Sequence, residues 1–134
     1  MPSPPTIVLY IPGPLLGERL KELLARPPGG SLCQACDRIE QMFAHLEQGQ
    51  ADLLIKDLGR PDEAGLTHLR QLRSRWPGLL VLGLGWFKSP PYAQAALQAG
   101  ATRYLAKTEL ERLPALVEAL LKSRPLPPDI PLEQ

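Results

Sequence analysis

The sequence predicts an α/β domain, a parallel sheet with helices on both faces, and three observations lead there. Short β-rich apolar runs recur five times along the chain. Between them, leucines and other apolar residues fall at helical spacing. Gly and Pro mark nearly every change of period, as they do where strands hand over to helices. Strands alternating regularly with helices imply parallel pairing, because each crossover must carry a helix.

The elements follow in order. Thr6–Ile11 is β-branched and continuously apolar, a central strand. Leu15, Leu16, Leu20, Leu23 and Leu24 stripe a first helix, and Arg26-Pro-Pro-Gly-Gly30 ends it. A short strand at Leu32–Ala35 leads to Asp37, a candidate N-cap for a helix carrying Ile39, Met42, Phe43 and Leu46. Gly49 stops that helix. The third strand, Leu53–Lys56, delivers Asp57 to the carboxyl edge of the sheet, where open α/β folds place their sites. Leu66, Leu69, Leu72 and Trp76 stripe the third helix up to Pro77-Gly78. Leu79–Leu84 is the fourth strand. Ser89-Pro90-Pro91 opens the fourth helix with a serine cap and proline in the first turn, and Gly100 closes it. Arg103–Ala106 is the fifth strand. Leu113, Leu116, Val117, Leu120 and Leu121 then stripe a fifth helix.

Composition bounds the function. A chain of 134 residues is one domain's worth, enough to bury a core without disulfides or metal. Fifteen basic against fourteen acidic side chains, mixed along the chain, give none of the basic stripe that nucleic-acid binding requires. No run is long enough for a membrane span, and Met-Pro-Ser-Pro-Pro does not open a signal peptide, so a cytoplasmic location is expected. Cys33 and Cys36 lack a second Cys or His pair for zinc; on a strand, side chains three apart diverge, which predicts two reduced thiols. The absence of Asn together with many Pro and Arg fits a thermophile or a GC-rich genome equally. His45 and His68 stand alone as surface or boundary residues, and Gly83-Leu-Gly85 is strand rather than phosphate loop. Residues 1–124 form the domain; residues 125–134 are Pro-rich, without a core of their own, and read as a tail or linker.

The block Asp52-Leu-Leu-Ile-Lys-Asp57, with Pro61 and Gly65 beyond it, and Gly100-Ala-Thr-Arg-Tyr104-Leu-Ala-Lys107 resemble the receiver domain of bacterial two-component response regulators. The resemblance covers roughly residues 6–122. It implies a flavodoxin-like fold, strand order 2-1-3-4-5, with the site between the first and third strands. Asp57 then stands at the phospho-acceptor position, Lys107 at the phosphoryl-contacting lysine, and Tyr104 at the switch aromatic. The departures carry as much. The family's loop after the first strand holds two acids for Mg²⁺; here it is Pro12-Gly13-Pro14, with no ligand. Asp62 and Glu63 read as solvated loop acids rather than replacements. The family's Ser or Thr at the end of the fourth strand is Gly85, and the next, normally small position is Trp86, which would partly roof the pocket.

Phosphoryl transfer is mostly positioning and charge neutralisation, so loss of the Mg²⁺ site removes its main catalytic term. Without neighbouring acids, Asp57 is expected to pair directly with Lys107. Lys56 precedes it where the family has an apolar residue; alternation aims Lys56 at the other face. The resulting expectation is a degenerate receiver, a pseudo-receiver that is no enzyme, holds no cofactor and works through protein–protein interaction. Its partner, or a second copy, would dock on the fourth helix, fifth strand and fifth helix, with Tyr104, Phe87 and Tyr92 at the interface. Two alternatives stand beside it. One is a phosphorylatable single-domain regulator using Asp57. The other is the regulatory domain of a helix-turn-helix transcription regulator, whose linkers resemble Arg124-Pro-Leu-Pro-Pro.

Overall fold

A computed structural model describes residues 5–25, 32–49, 51–59 and 63–123. The elements are β1 (Thr6–Tyr10), α1 (Pro14–Leu24), β2 (Leu32–Cys36), α2 (Ile39–Glu47), β3 (Leu53–Asp57), α3 (Glu63–Arg75), β4 (Leu80–Gly85), α4 (Pro90–Ala99), β5 (Arg103–Ala106) and α5 (Leu113–Lys122). A 3₁₀ turn over Lys107–Arg112 joins β5 to α5. All five strands are parallel, in the order β2-β1-β3-β4-β5. The flavodoxin-like topology expected from the sequence is the one observed.

Strand alternation sorts the core into two halves. Ile7, Leu9, Leu53, Ile55, Leu82, Leu84 and Leu105 face α1 and α5, whose Leu20, Leu23, Leu113, Val117 and Leu120 cover them. Val8, Leu54 and Val81 face α2, α3 and α4 through Met42, Leu46, Leu66, Leu69, Leu72, Ala96 and Ala99. Every residue of β3 and β4 is buried, as central parallel strands must be. The same alternation separates the cysteines: Cys33 packs on the α1/α5 side, Cys36 on the other, where its thiol donates to the Leu9 carbonyl at 3.5 Å. Both thiols are free, and burial pushes Cys36 up to about 11.

Some boundaries differ from the sequence reading. β1 ends at Tyr10, β2 runs on to Cys36, and β4 covers Leu80–Gly85. β2 ends at Cys36, paired with Tyr10, and the N-cap of α2 falls on Arg38, one residue past Asp37, without a side-chain cap. Ser89 does cap α4, accepting from the Tyr92 N–H at 3.4 Å. Arg26–Gly30, Pro61, Asp62 and residues 125–134 lie outside the described residues.

Arg73 is a structural residue the sequence reading passed over. From the last turns of α3 its guanidinium donates to Gly100 O at 3.1 and 2.6 Å, Trp76 O at 3.2 Å, Pro77 O at 2.8 Å and Leu79 O at 2.8 Å. One planar fork thus ties the α3–β4 turn to the α4–β5 turn. Gly100 sits at φ 132°, a conformation that L side chains rarely adopt, and its carbonyl points into this fork. Arg73→Met keeps the packing stem but removes the donor that the Gly100, Trp76, Pro77 and Leu79 carbonyls share. It should lower stability by about 3 kcal/mol, read from urea denaturation.

Candidate functional site

The carboxyl edge of the sheet gathers the residues singled out above. Asp57 ends β3, the central strand, and Lys107 follows β5 directly, so the two flank the end of β4. Lys107 Nζ meets Asp57 Oδ2 at 2.7 Å, with the two side chains only 12% and 8% exposed. Asp57 Oδ1 accepts from the Gly59 N–H at 2.7 Å. Both carboxylate oxygens are therefore engaged, one by a cation and one by backbone. Trp86, the residue after β4, lays its ring 4.1 Å from Lys107 Nζ and remains 51% exposed. The indole lies against the Lys107 end of the ion pair and adds a cation–π contact.

Pro12 and Gly13 are exposed in the β1–α1 loop, and neither carries a side-chain oxygen. Mg²⁺ wants several hard oxygens in near-octahedral array. Among the described residues no group of three or more His, Cys, Asp or Glu side chains comes together to hold a metal. With Asp57 already bound at both oxygens, the described donor set does not fit the family's ion.

Gly85 and Tyr104 interlock. A Cβ built on Gly85 would stand 1.9 Å from the Tyr104 hydroxyl, so that hydroxyl fills the space a side chain would need. From there Tyr104 donates to the Phe87 carbonyl at 2.6 Å, and its ring meets Tyr92 edge-on, centroids 6.0 Å apart. Burial raises the phenol above its ordinary value, which keeps it a donor. Gly83 is filled likewise: its Cβ would approach a Leu58 methyl to 2.9 Å. Gly65 lets α3 pass over the Leu58 carbonyl, 2.6 Å from where a Cβ would sit.

Lys56 points to the opposite face from Asp57, as alternation requires. It is 1% exposed, under the Tyr10 ring at 5.2 Å, and among the described residues its Nζ donates to the Asp57 carbonyl at 3.3 Å. Burial lowers it to about 8, against the opposing pull of Asp57. The sequence placed it on the right face, but its complete burial came only from tertiary packing. His68 is shifted down as well, by burial and then by the nearby Lys56 charge.

Residues 13–119 match the family described as the response regulator receiver domain. The chain belongs to that family. The transcriptional regulatory protein BasR of Escherichia coli (strain K12) is 36% identical over 101 residues, covering 75% of this chain and 46% of BasR. The DNA-binding transcriptional regulator NtrC of Proteus hauseri is 31% identical over 90 residues, 66% of this chain and 19% of NtrC. The chain thus spans less than half the length of these curated relatives. A response regulator from Thermotoga maritima superimposes with a TM-score of 0.81 at 21% identity, covering 90% of this chain and 100% of that one. An atypical orphan response regulator, described as revealing a phosphorylation-independent regulatory mechanism, gives 0.74 at 19% identity over 88% and 96%. At those identities the structures share the receiver fold. No helix among the described residues is long and apolar enough to cross a membrane.

Two stability experiments test this reading of the receiver's edge. Lys107→Met leaves a buried carboxylate without its cation and should cost about 3 kcal/mol. Asp57→Asn with Lys107→Met should cost clearly less than the two single losses added, in a denaturation double-mutant cycle. Lys56→Met acts in the other direction. A base whose folded pKa is lowered from 10.5 to about 8 is penalised while protonated, so the penalty is full below pH 8 and fades as pH rises towards 10.5. Lys56→Met should therefore gain on the order of 3 kcal/mol at pH 7. Most of that gain should vanish at pH 10 in paired denaturation curves.

Proposed function

We propose that this receiver is a pseudo-receiver, a protein-interaction module held in one conformation rather than switched by Mg²⁺-dependent phosphorylation of Asp57. The observation that carries the reading is the Tyr104 hydroxyl standing in the side-chain space of Gly85. In the family that space belongs to a hydroxyl that follows the phosphoryl group and passes the signal to the output face. Here no side chain exists at the position to move, and the aromatic is fixed inward by its bond to Phe87.

The phosphoryl site supports the same reading. A switch needs a ligand with different affinity for two states. Asp57, the phospho-acceptor equivalent, is bonded at both oxygens, Lys107 is covered by Trp86, and the Pro12-Gly13 loop offers no acid. The chemistry left to the site is structural: the ion pair staples the ends of β3 and β5. The module needs no catalysis of its own and no cofactor. Its docking surface is α4, β5 and α5, with Phe87, Tyr92 and Tyr104 at its upper end and either a protein partner or a second copy upon it. Since the curated relatives are transcriptional regulators longer than this chain, the module can equally serve as the regulatory part of such a protein, in the cytoplasm, with residues 125–134 as linker.

Titration with Mg²⁺ and then beryllofluoride, an acyl-phosphate mimic, followed by amide NMR, tests the proposal. No saturable shift at Asp57, Gly59 or Lys107 is expected. Saturable shifts that spread from Asp57 to Tyr104 and α4 would instead show a working phospho-acceptor. Gly85→Thr, by contrast, should expel Tyr104, break its bond to Phe87 and shift amides through Phe87–Ala99. Its expected cost is about 1–3 kcal/mol for overpacking.

A further inference from the structure

Between α2 and α3 lies a cleft that the receiver's edge does not account for. Its volume is about 570 Å³, the size of a small-ligand site. Phe43 of α2 and Arg70, Gln71, Ser74 and Arg75 of α3 line it. Arg70 and Ser74 are four residues apart, as are Gln71 and Arg75, so the four stand in two adjacent rows on one side of the helix. Every polar side chain among these lining residues can donate a hydrogen bond, and none is a carboxylate. Arg75 ends α3 just before the turn into β4, which puts this end of the cleft towards the amino edge of the sheet, away from Asp57.

One of these arginines is held in place. The Phe43 and Trp76 rings stack with centroids 5.9 Å apart, and the Arg75 guanidinium lies 4.5 Å from the Trp76 centroid and 5.6 Å from that of Phe43. Glu47 of α2 accepts from one of its terminal nitrogens. Two rings and a carboxylate thus fix the plane of a group whose fork matches carboxylate and phosphate oxygens. Pre-organisation of this kind lowers the entropic cost of binding. Arg73 and Arg75 answer the negative end of the helix dipole, and Arg70, a turn earlier, extends the positive edge along the cleft.

We propose that this cleft binds a small aromatic anion, a phosphate or carboxylate carried on a flat ring. The oxyanion sits among Arg70, Ser74 and Arg75, and the ring lies against Phe43. The donor set selects the negative group, and the aromatic wall selects a ring over a bare ion. Glu47 does not bar the site. Its pair with Arg75 is half exposed on both sides, 56% and 50%, where an ion pair is weak. An incoming oxyanion can share the guanidinium, which has more N–H donors than Glu47 uses. Binding here does not depend on whether Asp57 is silent.

The test titrates the full chain with adenosine monophosphate and with benzoate, at constant ionic strength, followed by amide NMR. Saturable shifts are expected at Phe43, Gln71 and Ser74 and at the Trp76 indole, and the tighter of the two ligands identifies the source of the oxyanion. Inorganic phosphate and acetate, which lack the ring, should bind about tenfold more weakly. No saturable shift with either aromatic ligand up to about 10 mM would overturn the proposal. Equal affinity for the ringless ions would overturn it too, leaving an unselective basic patch. Arg70→Gln, at an exposed position, should weaken binding about tenfold, and an unchanged affinity would sink the assignment. Glu47→Gln, also exposed, removes the competing carboxylate and should tighten binding about threefold. Weaker binding in that variant would overturn the role given to Arg75.

Discussion

Asp57 and Lys107 come from strands that do not touch, and their bond crosses the end of β4 like a clasp. Much of the carboxyl edge depends on that clasp. It spans the mouth of the sheet where backbone pairing has stopped, and it fixes the first residue of the 3₁₀ turn that leads into α5. It also gives the Trp86 ring a cation to rest on. Two ions this poorly exposed are costly to bury apart, and together they compensate one another. The clasp therefore resists opening.

β4 is built to pass beneath this arrangement. Its two glycines are spaced by one residue and so face the same side, where Leu58 and Tyr104 supply the bulk that β4 omits. Leu58 in turn donates its N–H to the Leu84 carbonyl at 2.9 Å. β3, β4 and β5 are thus registered at their ends by side chains reaching across, not by the ladder alone. Lys56 is the exception to this economy, a buried cation with one long hydrogen bond among the described residues, where an apolar side chain would pack without penalty.

The sequence was most legible where periodicity and chemistry agree. Five apolar runs, the divergence of Cys33 from Cys36 and the cap at Ser89 are local consequences of strand and helix geometry, and each appears in the fold. Strand order came through resemblance, since parallel pairing is not written in any one segment. What escaped depends on distant partners. Arg73 looks like any charged residue of an exposed helix, and only the convergence of two turns makes it a hub. The 3₁₀ turn in Lys107–Arg112 has no apolar stripe to announce it. Asp37 has a capping side chain, but α2 begins one residue later than the side chain needs and takes Arg38 as its N-cap. The inward choice of Tyr104 was open until Gly85 was placed beside it.

The Gly85–Tyr104 fit has a consequence for descent as well as for mechanics. A single substitution that restores a hydroxyl at 85 would collide with the phenol, and one that shortens 104 alone would leave a void beside the glycine. Each step is harmful without the other, so the two sites are epistatic and a valley separates this sequence from one with a hydroxyl at position 85. On the proposed reading, the fit works like a ratchet, with the order of reversions constrained by one shared pocket of space.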